Sequence, residues 1–256
     1  MGKAGMGTER TIPSEIWSSS GTTEHLGGVA ATRRLLESCG IKSGQLEQDL
    51  GCGTGYTASV LAGKHGAQVV AVDIRFQGLQ EAIRRAASRG LTGKAAMVQA
   101  DAHHLPFRAD SFEMAVAESV LVFCDAVQVT AEVARTLRSG GAIAANELTL
   151  LQTPPDELVD LLRNTLGIRS TQEAEWRRIL EEAGFVRVSS QVQGFRWREQ
   201  MAGHLAADGL RGYLSGMVRG LANLKVSRVF LNRRMLRAAR LFAPMVGYGL
   251  YTGRKP

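Results

Sequence analysis

Apolar positions along this chain keep two beats, a 3.6-residue helical spacing and short unbroken runs, and the two alternate. From Thr22 the helical beat passes through Leu26, Val29, Ala30, Leu35 and Leu36 and stops at Gly40, with a turn at Lys42-Ser43-Gly44. Beyond it, apolar runs at residues 68–73, 95–100, 112–118 and 142–146 are separated by helical stretches at 77–89 and 126–137. Strands alternating with helices in this way predict βαβ units, whose fixed handedness builds a parallel sheet covered by helices on both faces. After Pro154-Pro155 a helix is expected over 171–183 and a strand over 184–188. Residues 195–243 return to helical spacing, with Leu214, Met217, Val218, Leu221 and Leu224 on one face, until Pro244 closes the block. Residues 246–251 read as a last strand.

The 256 residues are 45% hydrophobic and 21% charged, which suits one buried core and excludes a disordered chain. Three parts are expected: a mobile arm over 1–21, an α/β domain over 22–194 and 244–256, and a helical insertion over 195–243. The formal charge of +7 is concentrated in that insertion, where ten Lys and Arg face only Glu199 and Asp208. Cys39, Cys52 and Cys124 form no Cys-x-x-Cys pair, so neither a disulfide framework nor a metal site is indicated, and a reducing, cytoplasmic compartment is expected. No apolar run approaches the ~18 residues that span a bilayer. The opening residues carry no export or acylation pattern.

The informative stretch is Asp49-Leu50-Gly51-Cys52-Gly53-Thr54-Gly55, between a strand and a helical pattern. Glycines at alternate positions let the backbone turn sharply and let a ligand lie against main-chain N–H groups. A dinucleotide loop wants Gly-x-Gly-x-x-Gly and a triphosphate loop wants Gly-x-x-x-x-Gly-Lys-Ser/Thr; neither spacing is present. About 20 residues on, Asp73 ends the second strand, where a carboxylate can accept ribose hydroxyls from a nucleoside lying across the strand ends.

This stretch resembles the first motif of the class I S-adenosylmethionine-dependent methyltransferases, which has the form Asp-x-Gly-x-Gly-x-Gly. Companion features follow in order: Asp73, then Asp101-Ala102 after the third strand, Leu105-Pro106-Phe107 and Asp110-Ser111-Phe112 before the fourth, and Leu137-Arg138-Ser139-Gly140-Gly141 before the fifth. The likeness covers about residues 22–190 and the closing strand, and is nearest to the quinone, sterol and small-molecule subgroup. It implies a Rossmann-like sheet of seven mostly parallel strands, the last antiparallel, with a helical lid inserted before that last strand. It also implies S-adenosylmethionine as cofactor. Asp49 and the backbone of Gly51, Cys52, Gly53, Thr54 and Gly55 are expected at its methionine end, Asp73 at the ribose, Ile74 on the adenine face, and Asp101 with the Ala102 N–H at the adenine edge. Glu118, at the end of the fourth strand, is expected either to orient the cofactor or to act as a base, and His25 is the second candidate base.

Plainer readings stand beside these. Asp73 and Asp101 could be simple helix caps, Cys52 a small residue packed behind the loop, and His103 and His104 solvated loop residues. Glu47-Gln48 depart from the family pattern, which is apolar just before its Asp. A buried Glu must find a partner, shift its pKa or weaken the strand.

The fourth strand is followed by Ser119-Val120-Leu121, not the Asn/Asp-Pro-Pro-Tyr/Phe that resembles amino-group methylation, and no Pro-Cys nucleophile is present. A small-molecule acceptor is therefore expected. The basic, apolar-faced insertion suits a hydrophobic acceptor, one with an anionic group, or contact with a membrane surface. Two alternatives remain: an RNA methyltransferase using that basic patch, and a cofactor-binding protein without catalysis. The oligomeric state is not readable.

Overall fold

The computed structural model describes residues 26–195 and 240–256, together with Leu214, Val218 and Arg237. The arm at 1–21, His25 and nearly all of the 195–243 insertion lie outside the described residues. Within them, α1 (Gly28–Cys39) puts Ala31, Leu35, Leu36 and Cys39 on its buried face and ends at Gly40, whose φ of 66° reverses the chain. Then come β1 (Leu46–Leu50), α2 (Tyr56–Lys64), β2 (Gln68–Asp73), α3 (Phe76–Ser88), β3 (Ala95–Gln99), β4 (Phe112–Glu118), α4 (Ala126–Thr136), β5 (Leu137–Leu150), α5 (Asp156–Asp160), β6 (Thr171–Gln172), α6 (Glu173–Glu182), β7 (Val186–Gly194) and β8 (Val246–Arg254).

The sheet runs β3-β2-β1-β4-β5-β8-β7, with the two-residue β6 paired to β5 off this path. Pairings from β3 to β5 are parallel and β8 is antiparallel to both its neighbours, as expected. One apolar layer joins α1, α2 and α3 to the sheet through Leu35, Leu61, Leu79 and Val116. The other joins α4, α5 and α6 through Val129, Leu158, Trp176 and Ile143. The chain steps outward from β1 to β2 and β3, then returns to lay β4 on the other side of β1. In open α/β sheets such a reversal of strand order, beyond the carboxyl ends of β1 and β4, is where ligands bind.

Two expected strands differ from the sequence reading. The fifth strand begins at Leu137, because Leu137 pairs with Phe112, the next pair is Met114 with Ala142, and the residues between bulge out. Gly140 accommodates the bulge at φ 77°, and its N–H and the Gly141 carbonyl both pair with Lys255. The strand expected over 184–188 runs instead over Val186–Gly194. As an edge strand with mostly polar side chains it shows little apolar signal. Arg187, at φ 53°, sits in its bulge.

Glu47 and Gln48 are wholly buried in the central strand. Gln48 accepts from the Thr136 hydroxyl at 3.5 Å, while no described donor reaches either Glu47 oxygen. Burial, then the nearby Glu113 charge, push Glu47 up from its ordinary 4.5 to about 7. A carboxyl raised in the folded state binds a proton that the unfolded chain has already released. Its stabilisation is therefore complete below pH 4.5 and is lost as pH rises through about 7. Glu47→Gln removes this dependence: the stability difference between variant and wild type in urea unfolding should grow by about 1 to 3 kcal/mol from pH 5 to pH 8. A difference flat with pH contradicts it.

Candidate active site

The bend between β1 and α2 places Gly51, Gly53 and Gly55 at φ 62°, 51° and 75°. A Cβ at Gly51 would lie 2.3 Å from a Val120 methyl, and one at Gly55 would lie 2.7 Å from Ala82. Those two glycines are demanded by packing. A Cβ at Gly53 meets nothing nearer than the Arg75 guanidinium at 3.9 Å, so the bend is open on that side. The loop is tied down by Cys52 N–H to the Val72 carbonyl (2.9 Å), Gly55 N–H to the Cys52 carbonyl (2.8 Å) and Arg85 Nε to the Thr54 carbonyl (2.9 Å). Cys52 is buried and its thiol is pushed far up by burial, which keeps it protonated and matches a packing role.

Asp73, buried at the end of β2, accepts from the Gly53 N–H at 2.8 Å through Oδ2 and from the Arg75 N–H at 2.8 Å through Oδ1. Oδ1 also accepts from Arg75 Nε at 3.4 Å, so Oδ2 is the oxygen that keeps a further lone pair. Ile74 beside it is 61% exposed, unusual for its type at a strand end. Beyond β3, Asp101 is exposed and accepts from the His103 N–H at 2.9 Å, an Asx turn. That backbone bond is the leading cause holding its carboxyl below the usual range. Ala102 is half-buried in the same turn.

His103 is not simply solvated. Its Nδ1 lies 2.6 Å from Asp101 and its Nε2 accepts from the Asp125 N–H at 3.2 Å. That second bond places the proton on Nδ1 and makes the ring a strut to the start of α4.

Glu118, buried at the end of β4, accepts from the Thr32 hydroxyl of α1 (2.8 Å), the Thr57 hydroxyl of α2 (2.8 Å) and Asn146 Nδ2 of β5 (3.3 Å). It fastens two helices to the sheet. Asn146 Nδ2 also donates to the Leu26 carbonyl at 2.8 Å, which fixes the amide and leaves its Oδ1 as a buried acceptor without a donor. Asp49 Oδ2 and Ser119 Oγ are likewise buried and unpartnered. The Asp49 carboxyl is pushed well up by burial, then by the Glu118 charge, against a hydrogen bond from the Ala58 backbone. Ser119 sits at φ 57°, a conformation costly for a residue with a Cβ. These three unsatisfied oxygens belong to adjacent strands or their ends: Asp49 to β1, Ser119 to the turn after β4, and Asn146 to β5, in register with Glu118.

Glu147 was not expected at all. Wholly buried, it accepts from Val120 N–H (3.0 Å), Leu121 N–H (2.9 Å) and Val122 N–H (3.3 Å), and so holds the turn after β4 against Gly51. Burial pushes it up to about 8 against those three bonds. An acid inside the apolar run 142–150 was the available signal. Among the described residues, no cluster of His, Cys, Asp and Glu is arranged to hold a metal, and no helix is long and apolar enough to cross a membrane.

A methyltransferase-domain family model matches residues 48–145. Among curated proteins, methyltransferase GfsG of Streptomyces halstedii is 32% identical over 61% of this chain, which spans 58% of that protein, less than two thirds of its length. YodH of Bacillus subtilis, an uncharacterized methyltransferase, is 33% identical over 63% of this chain and 68% of its own. Among solved structures, the [4+2]-cyclase SpnF shares the fold with a TM-score of 0.76 at 22% identity, over 96% of this chain and 93% of that one.

Glu118 as a fastening makes a measurable demand on its donors. Thr32→Val, equal in shape but without the hydroxyl, should destabilise the protein by about 1 to 3 kcal/mol in urea unfolding. A change below about 0.5 kcal/mol, the scatter of ordinary surface substitutions, contradicts that role.

Proposed function

Because this chain belongs to the class I S-adenosylmethionine-dependent methyltransferases, we propose that it transfers the methyl group of S-adenosylmethionine to a small, hydrophobic acceptor by in-line displacement. The observation that carries the reading is the pairing of an open glycine bend with a buried acid that has one oxygen without a donor. Gly53 leaves room for a ligand against the backbone, and the buried Asp49 Oδ2 lacks the partner that an ammonium group would supply. The chain's residues therefore fit the cofactor's charge as well as its shape.

In this reading Asp49 and the loop Gly51-Cys52-Gly53-Thr54-Gly55 hold the methionine end. Asp73 accepts from a ribose hydroxyl with the lone pair left on Oδ2, Ile74 covers the adenine face, and Asp101 with the Ala102 N–H reads the adenine edge. When bound, S-adenosylmethionine supplies an electrophilic methyl on a sulfonium. Displacement disperses charge, so alignment at ~3 to 3.5 Å and exclusion of water contribute most of what the protein must provide. Glu118, with its oxygens engaged by Thr32, Thr57 and Asn146, positions the helices that frame the site. His25 is the candidate to take a proton from a hydroxyl acceptor. The absence of Asn/Asp-Pro-Pro-Tyr/Phe after β4 supports a small-molecule acceptor over an amino group of nucleic acid or protein.

Incubation with S-adenosylmethionine and a panel of quinols, phenols and prenyl lipids should release S-adenosylhomocysteine with at least one of them. Tight binding with no turnover of any member would favour a non-catalytic binding protein. Gly53→Ala separates site from fold. Its strain of about 1 to 2 kcal/mol is small, yet its methyl enters the space kept for the ligand. Affinity for S-adenosylhomocysteine should fall about tenfold or more, equal to ~1.4 kcal/mol. Unchanged affinity contradicts the placement.

A further inference from the structure

Among the described residues, Arg34 is a cation whose packing leaves a donor unmet. Its neighbour Arg33, exposed on α1, pairs with Glu37 at 3.9 Å. Arg75, Arg135 and Arg177 each reach a carboxylate. Arg34 turns the other way, is half-buried, and among the described residues meets no carboxylate. Its Nη2 donates to the Tyr248 hydroxyl at 2.5 Å, and its Nε is buried with no acceptor. Its Nε–H has been drawn from water with no acceptor in exchange, an unfavourable state unless something negative completes it.

The surroundings hold that guanidinium in place. Tyr248 is buried on β8, and its ring lies so close to Gly27 that a Cβ there would stand 2.4 Å away. Its hydroxyl donates to Gln193 Oε1 of β7 at 3.0 Å, so a donor chain runs from Arg34 through Tyr248 to Gln193. Tyr248 pairs with Leu148 of β5, and Asn146, two residues earlier on β5, pairs with Leu250 and bonds Leu26 beside Gly27. The cation therefore lies at the same end of the sheet as Glu118 and Asn146, displaced toward β8 and β7 and away from the glycine bend between β1 and α2.

We propose that Arg34, held by Tyr248 and Gln193, is a subsite for an anionic oxygen group, a carboxylate or a phosphate, carried by the methyl acceptor. The proposal rests on the methyl-transfer reading only for the identity of the molecule that brings the anion. The planar fork of Nε and Nη donors suits two oxygens of one such group. Tyr248 fixes the fork's orientation, so little freedom is lost when the anion arrives.

The test uses the full chain with S-adenosylhomocysteine bound and reads the arginine Nε–H signals by nitrogen-15 NMR, with Arg34 assigned from its disappearance in Arg34→Gln. Inorganic phosphate and acetate are titrated separately against chloride of equal ionic strength. A saturable shift of the Arg34 signal with phosphate or acetate, but not chloride, is expected, and the stronger of the two names the group. Arg34→Gln should abolish the saturable anion response elsewhere in the spectrum while leaving S-adenosylhomocysteine affinity unchanged. Tyr248→Phe, which keeps the ring against Gly27, should weaken anion binding about tenfold and decides the matter if Arg34→Gln does not fold. No shift with either anion, or a response that survives both substitutions, overturns the subsite and leaves the methyl-transfer reading intact. Failure to bind S-adenosylhomocysteine would sink that reading instead.

Discussion

Carboxylates placed in a dry parallel sheet govern this structure. Glu47, Asp49, Asp73, Glu118 and Glu147 are all buried on or beside its central strands, where an ionised group without partners is several kcal/mol out of place. The protein meets that demand differently at each. Glu118 takes two helix hydroxyls and an amide, Glu147 takes three backbone N–H groups, and Asp73 takes Gly53 and Arg75. These bonds also set the geometry. Glu147 holds the turn carrying Val120 against Gly51, Asp73 anchors Gly53, and Glu118 keeps α1 and α2 over the strand ends. Asp49 is left with an unmet oxygen in the middle of them, and Glu47 with two.

The two unmet acids differ in position and so in meaning. Asp49 lies at the carboxyl end of β1, at the switch point of the sheet, where the ammonium group of the proposed cofactor would complete it. Glu47 lies two residues deeper, beside Cys39 and Glu113, and its carboxyl is raised to about 7. Nothing in the structure explains what Glu47 contributes.

Much of this was legible in the chain. The runs at 68–73 and 112–118 are buried on both faces and coincide with β2 and β4, because a fully covered strand is apolar throughout. The glycine bend and Asp73 were equally plain, because Gly51, Gly53 and Gly55 all take positive φ and Asp73 accepts from the Gly53 N–H of that bend. What escaped depends on distant partners. Leu137 opens β5 only because the terminal Lys255 closes the bulge at Gly140 and Gly141, and Arg138-Ser139-Gly140-Gly141 by itself reads as a turn. Polar β7 pairs with β8 at the sheet's edge and needs no apolar face. His103 becomes a strut only when β3 and α4 are neighbours, and no local pattern announces the three amides that converge on Glu147.

The central claim is that the glycine bend and Asp49 together receive a cationic adenosyl ligand. Calorimetric titration with S-adenosylmethionine and S-adenosylhomocysteine, in buffers of differing ionisation heat near neutral pH, tests it directly. The account predicts binding of both, with protons released as the ligand's ammonium group draws the raised Asp49 carboxyl into its ionised form. No heat from either compound in any buffer contradicts it.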